Sequence, residues 1–252
     1  SGGVSVPEWM IEIEHLRKEF GNLVAVEDLC LRIPPGEFFG FLGPNGSGKT
    51  TTIKLLTGLL RPTRGVARIG GFDIQKEHLA AKRLIGYVPD TPYLYEKLSA
   101  REFLRLVGDL YQIPVQTLDR RITELLELFG LAHVADGLIE DYSHGMRQKA
   151  VMCACLLHEP KAIIIDEPMV GLDPQSAHLV KTVLRKQCEQ GACVFMSTHT
   201  LSLAEDVCHR VAIILKGRVI AVGTVDELKR EYGGHSDLED LFLDLTGRDV
   251  GA

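Results

Sequence analysis

At 252 residues, 45% hydrophobic and 25% charged, the chain carries enough apolar material for a proper core and has the size of one large α/β domain or two small ones. A net charge of −6 and a pI near 5.9 argue against a nucleic-acid binder with a dominant basic surface. No apolar run approaches the roughly 20 residues that cross a bilayer; candidates such as Val211 to Leu215 are strand-sized, and neither a membrane span nor a signal peptide is expected.

In chain order, Ser1-Gly2-Gly3 reads as a cloning remnant, and residues 4–252 as a single domain with subdomains. Ile11 and Ile13, then Leu29, Leu31 and Ile33, recur at period two and predict strands, with turns at Phe20-Gly21-Asn22 and Pro34-Pro35-Gly36. Glu37 to Leu42 predicts a buried strand. Immediately after it, Gly43-Pro44-Asn45-Gly46-Ser47-Gly48-Lys49-Thr50 fits the phosphate-loop pattern G-x-x-x-x-G-K-[ST]. Glycines let the backbone curl so that successive N–H groups face phosphate oxygens. Lys49 can reach the β- and γ-phosphates, and the Thr50 hydroxyl can ligate Mg²⁺. Thr51 to Leu60 predicts a helix with Ile53, Leu56 and Leu60 on one face and Pro62 beyond its end. Strand, loop and helix in this order aim a helix N-terminus at an anion. The chain is expected to bind a nucleoside triphosphate.

The middle of the chain changes character. A capping box (Ser99, Glu102) opens a helix bearing Phe103, Leu106, Val107 and Leu110, and a second helix spans Leu118 to Phe129 and stops at Gly130. Together they predict a helical subdomain over roughly residues 92–160. Strand signals return at Ala162 to Ile165, Cys193 to Met196, Arg210 to Leu215 and Arg218 to Ala221, the last two joined by a hairpin turn at Lys216-Gly217. Thr224 and Glu227 form another capping box before a closing helical region. The six cysteines contain no C-x-x-C pair, and Cys153 and Cys155 fall on a helix facing different ways. Buried thiols in a reducing compartment are expected, not a metal site.

Lys161 to Pro168 is an apolar strand that ends in two acids. Its β-branched run suits a parallel strand covered on both faces, and ligands sit beyond the carboxyl ends of such strands. Of paired acids there, Asp166 can hold hydrated Mg²⁺ and Glu167 can orient or deprotonate an attacking water.

With these motifs in this order, nearly the whole chain resembles the nucleotide-binding domain of an ATP-binding cassette (ABC) transporter, most like the ATPase subunit of ABC-2-type bacterial exporters. The resemblance implies an α/β fold: a P-loop NTPase core with an N-terminal antiparallel β-subdomain and an inserted helical subdomain. It implies that Phe20 stacks on adenine, that Gly43 to Thr51 hold the nucleotide, and that Thr50, Asp90 and Asp166 serve Mg²⁺. Glu167 becomes the catalytic base, with Lys49 and the switch histidine, His199, at the γ-phosphate. Asp173, in Gly171-Leu172-Asp173-Pro174, belongs to a loop that crosses a dimer interface. Ser143, His144 and Gly145 fall in the signature that caps the ATP of the opposite subunit. The chain departs from the family pattern at two places: the signature Leu-Ser-Gly-Gly-Gln reads Tyr142-Ser143-His144-Gly145-Met146, with His144 where Gly is usual, and Asp90 stands where Gln is usual.

The implied function is that of an ATP-binding, ATP-hydrolysing subunit that, with Mg²⁺, drives export through a separate membrane permease by ATP-dependent dimer closure. A homodimer completes both sites alike, with a related but different second subunit as the alternative; a separate permease docks near Asp90 and Thr91 to Leu98, and the subunit sits at the cytoplasmic face of the membrane with no nucleic-acid partner. The alternatives are a soluble ABC-type ATPase working on a macromolecule and a nucleotide-sensing subunit with weak hydrolysis.

Overall fold

The computed structural model describes residues 7–232 and 237–248, so the expectation for Ser1 to Gly3 lies outside the described residues. The chain opens with β1 (Ile11–Phe20) and β2 (Leu23–Ile33), an antiparallel pair turning at Gly21, whose φ is 58°. Next come β3 (Phe38–Leu42), α1 (Lys49–Leu56), β4 (Arg64–Ile69), β5 (Phe72–Asp73), α2 (His78–Leu84) and β6 (Ile85–Val88). The inserted helices are α3 (Ala100–Leu110), α4 (Val115–Leu128) and α5 (His144–Leu156). The chain re-enters the sheet at β7 (Ala162–Asp166) and continues through α6 (Pro174–Glu189), β8 (Cys193–Thr198), α7 (Leu201–Val207), β9 (Arg210–Leu215) and β10 (Arg218–Gly223). It ends with α8 (Val225–Glu231) and α9 (Leu238–Arg248).

Two sheets organise these elements. The first is antiparallel, in the order β2-β1-β4-β5; the second runs β10-β9-β3-β8-β7-β6, parallel except for the β9–β10 hairpin. Lys216 (φ 48°) and Gly217 (φ 78°) both adopt the left-handed conformation that a tight hairpin demands. Every residue of β3, β7 and β8 is buried, because helices and the first sheet cover both faces of the second sheet. One face packs Phe38, Ile163, Ile165, Val194 and Met196 against α3 to α6. On the other, Phe39, Phe41, Ile164 and Phe195 meet the first sheet and α1. Both capping boxes form as expected, at Ser99–Glu102 and Thr224–Glu227.

Some boundaries move. The first helix runs from Lys49 to Leu56, not Thr51 to Leu60. Gly58 (φ 72°) turns left-handed after it, and the N–H groups of Leu59 and Leu60 close back on the Lys54 carbonyl, ending the helix in a capped turn. The second inserted helix starts at Val115, just after Pro114, three residues before the expected Leu118. Of the six thiols expected to be buried, Cys30 is exposed and Cys208 half-buried, because Cys30 lies on the outward face of β2 between inward Leu29 and Leu31.

A polar joint ties the inserted helices to the sheet. The Ile85 carbonyl of β6 lies 2.9 Å from Nε2 of His158 and accepts the Tyr111 hydroxyl at 3.3 Å, while the two rings stack at 3.7 Å. The other ring nitrogen, Nδ1, is buried without a partner, and burial pushes the His158 pKa down to about 4. The unfolded chain therefore takes up this proton first. Stability is complete above pH 6.5, near the ordinary histidine value, and falls as the pH drops toward 4, by about 2–3 kcal/mol. Urea denaturation at pH 7 and pH 5 should show this loss, and His158→Gln should flatten it. An unchanged slope in that variant would place the sensitivity elsewhere.

Candidate active site

The phosphate loop hangs between β3 and α1 and is shaped by what lies behind it. A Cβ on Gly43 would stand 2.4 Å from the Ile214 carbonyl oxygen, and one on Gly48 (φ 110°) 2.5 Å from that of Ala25, so neither position has room for a side chain. The Gly217 N–H donates to the Ser47 carbonyl at 2.8 Å, pinning the loop to the β9–β10 hairpin. The Ser47 N–H reaches the Pro44 carbonyl at 3.2 Å, whereas the buried Ser47 hydroxyl has no protein partner.

In front of the loop lies a cleft of about 540 Å³. Asn45, Gly46, Gly48, Lys49, Thr50 and Thr51 line it from the loop, Asp90, Asp166 and Glu167 from the strand ends, and Phe20 from the end of β1. Gly43, Pro44 and Ser47 form the loop's back. Phe20 is 45% exposed, with Lys18 Nζ 4.9 Å from its ring centroid, and offers a broad apolar surface at the mouth. Sequence reasoning missed Leu23, Val24, Ala25, Lys216 and Gly217, which complete the wall. The Lys216-Gly217 turn was visible, but its place against the phosphate loop follows from how the first sheet wraps the second.

Lys49 Nζ donates to the carbonyls of Gly43 (2.6 Å) and Pro44 (3.0 Å). Burial pulls its pKa below the ordinary lysine value, and Glu167 and Asp166 partly restore it. The Thr50 hydroxyl donates to Asp166 Oδ2 at 2.9 Å, and Ser197 Oγ donates to Oδ1. Burial nevertheless holds Asp166 above the usual carboxylate value, and the negative charges of Asp90 and Glu167 add to the effect. Three carboxylates and a hydroxyl around one cleft fit a hard divalent cation that takes oxygen ligands. Asp90 also accepts the Thr91 N–H at 2.8 Å, the bond of a local turn.

Glu167 sits just past β7 at φ 51°, an uncommon conformation for a residue with a Cβ. Its Oε2 accepts the Thr198 hydroxyl at 3.1 Å; its Oε1 accepts the His199 N–H at 2.9 Å and lies 2.7 Å from His199 Nδ1. His199 thus stands at the end of β8 against the proposed base, outside the lining of the cleft.

The remaining predicted residues lie elsewhere. Ser143 caps α5 by accepting the Met146 N–H at 3.3 Å, and Arg147 braces this turn through the Tyr142 and Glu140 carbonyls and Glu96. Asp173 caps α6, accepting the N–H (3.0 Å) and hydroxyl (2.6 Å) of Ser176. None of Ser143, His144, Gly145 or Asp173 lines the cleft, and all but half-buried Gly145 are exposed or largely so.

The departure at His144 has a structural partner. Its ring covers Gly171 so closely that a Cβ there would lie 2.3 Å from Cδ2 and 2.7 Å from Nε2, and Gly171 has a φ of 77°. Gly171→Ala should therefore cost about 1–2 kcal/mol, chiefly from left-handed strain, with a smaller share from the collision because the exposed His144 ring can swing aside. Adding His144→Gly should return the steric share alone. Urea titrations of the two single variants and the double variant measure this coupling, and strict additivity would refute the contact.

The family model described as ABC transporter matches residues 26–170. The chain belongs to the ABC transporter family. Among curated relatives, the linearmycin resistance ATP-binding protein LnrL of Bacillus subtilis is 37% identical over 94% of this chain and 75% of its own. Nod factor export ATP-binding protein I of Paraburkholderia xenovorans is 35% identical over 88% and 73%. A solved structure of an ATP-binding subunit of an ABC transporter superposes with a TM-score of 0.90, at 35% identity, over 94% of this chain and 99% of that one. The dimeric, post-hydrolysis ATP-binding cassette MJ0796 bound to ADP and Pi gives 0.79 at 25% identity, over 85% and 98%. As an ABC member, the chain is an ATP-binding subunit that hydrolyses ATP coupled to transport. Among the described residues no helix is long and apolar enough to cross a membrane.

Proposed function

We propose that two copies of this chain pair head to tail, each closing its signature turn over the other's phosphate loop, and that this closure powers export through a separate permease. The observation that carries this reading is the split within one chain. Lys49, Thr50, Asp166 and Glu167 share a cleft, whereas Ser143 to Gly145 form an exposed helix start that does not line it. A second copy related by a twofold axis would complete both clefts alike. Export is supported by the names of relatives matched over most of this chain, LnrL for linearmycin resistance and protein I for Nod factor export. The subunit then lies at the cytoplasmic face of the membrane, docked on the permease through the segment from Asp90 to Leu98.

Mg²⁺ would be held by Thr50, Asp90 and Asp166, where it supplies positive charge to the phosphates. The protein's own groups do the rest. Loop N–H groups and Lys49 bind and orient the phosphates, Phe20 stacks on adenine, and Glu167 takes a proton from the water aimed at the γ-phosphate. His199, hydrogen-bonded to Glu167, positions that carboxylate and reaches the γ-phosphate when ATP is present.

Mixing two crippled chains tests the pairing. Lys49→Met destroys the phosphate loop but spares the signature; Ser143→Arg does the reverse. Each alone should be inactive, while the mixture contains one intact composite site per heterodimer and should recover hydrolysis. A mixture as dead as its components would rule out sites shared between chains.

A further inference from the structure

On the outer face of the first sheet, far along β1 from Phe20, three side chains with metal-binding atoms meet. Across β1 and β2, Ile13 pairs with Leu31 and Leu16 with Leu29, so β1 carries one residue more than β2 in this interval. The bulge is taken up at His15, whose φ is 49°. It turns the imidazole onto the same outward face as Asp28 and Cys30. Nδ1 of His15 lies 2.9 Å from Asp28 Oδ1 and 3.7 Å from Cys30 Sγ, and all three atoms are within 4.8 Å of one another. The backbone N–H of His15 also points at Sγ, at 3.2 Å, which fixes the sulfur beside the imidazole. Of the six cysteines Cys30 alone is exposed, whereas burial raises the pKa values of the other five thiols and leaves them protonated.

We infer that His15, Asp28 and Cys30 form a surface binding site for a single borderline-soft divalent cation, Zn²⁺ by ligand type, independent of the nucleotide cleft. Ligand bonds of about 2.0–2.3 Å in a tetrahedron require donor atoms roughly 3.3–3.7 Å apart, so the ion enters with sub-ångström to ångström movements of side-chain ends. One thiolate, one imidazole and one carboxylate leave the fourth position to water, which the exposure of the cluster supplies. Sulfur and imidazole ligands select against Mg²⁺ and Ca²⁺, so the ion that accompanies ATP does not compete. Binding releases the thiol proton of Cys30, leaves the neutral imidazole with its proton on Nε2 in place of Nδ1, and replaces the His15–Asp28 hydrogen bond with two metal bonds. Because the ligands come from both strands, the ion clips β1 to β2 at the bulge, where backbone pairing is interrupted.

Co²⁺ serves as the probe, titrated into the full chain under a phosphine reductant. A thiolate-to-cobalt charge-transfer band should appear at one equivalent, vanish with excess Zn²⁺ and be absent in Cys30→Ser. His15→Ala and Asp28→Ala should each weaken binding at least tenfold. Zn²⁺ should raise the melting temperature of the wild type but not of Cys30→Ser, whose Mg²⁺-ATP hydrolysis stays at the wild-type rate. No band in the wild type, or a band that survives Cys30→Ser, overturns the site. Unchanged affinity in both His15→Ala and Asp28→Ala overturns the ligand set.

Discussion

Glu167→Gln should lower steady-state ATP turnover by about a hundredfold or more, the range lost when a positioned general base is removed. The substitution keeps the shape of the side chain. An amide oxygen can still accept the His199 N–H that now bonds Oε1 at 2.9 Å, and the amide NH₂ can donate to the Thr198 hydroxyl that now bonds Oε2. What disappears is the negative charge and its proton affinity. Binding should survive or improve, because Asp166 and Asp90 already crowd the cleft with negative charge and the γ-phosphate brings more. Phosphate release and light scattering on the same sample read both halves. The expected result is a stalled enzyme that becomes dimeric in ATP. Wild-type turnover in Glu167→Gln would remove Glu167 from its role as base.

Lys49→Met should abolish stabilisation by ATP while leaving the nucleotide-free fold nearly unchanged. At a ligand concentration of 100 Kd, a bound nucleotide contributes about 2.7 kcal/mol, roughly 5–10 °C in melting temperature for a chain of this size. The wild type should show such a shift, and the variant none. Without nucleotide two effects oppose each other. Burial depresses the Lys49 pKa, so the charged form is held at a cost that eases only as the pH rises through the folded-state value. Met removes that cost but leaves the carbonyls of Gly43 and Pro44 without their donor. A variant that still melts higher with ATP would place the phosphates away from this loop.

The parts legible in the sequence were those in which local chemistry and position coincide. Gly43 to Thr50 announce the loop because only glycine tolerates the closeness of Ile214 and Ala25, and Asp166-Glu167 announce themselves at the end of an apolar run. Both capping boxes were readable because each is closed within four residues. By contrast, β4, β5 and α2 went unread. Arg64 to Ile69 buries only Ala67 and Ile69, too weak a period for a strand that gains its place by pairing with β1. Helix α6 also went unread, although Asp173-Pro174 is a cap followed by proline at the first helical position. The wall made by Ala25 and Lys216 could not be read, since it depends on two sheets meeting. Nor could the approach of His15 to Cys30, because a one-residue bulge reverses the face predicted by alternation.

The strand order carries a consequence for how the protein is made. The strand that holds the phosphate loop, β3, leaves the ribosome well before its neighbours β8 and β9, which follow the whole helical insertion. Until residues 193–215 have been synthesised, Phe38 to Leu42 has neither hydrogen-bonding partner, and the Ile214 and Gly217 groups that shape and pin the loop do not exist. A nascent chain therefore waits with five apolar or small residues unpaired, a segment that invites chaperone capture or aggregation. ATP cannot serve as a folding template for the early segments, and nucleotide affinity marks a chain synthesised at least as far as Gly217.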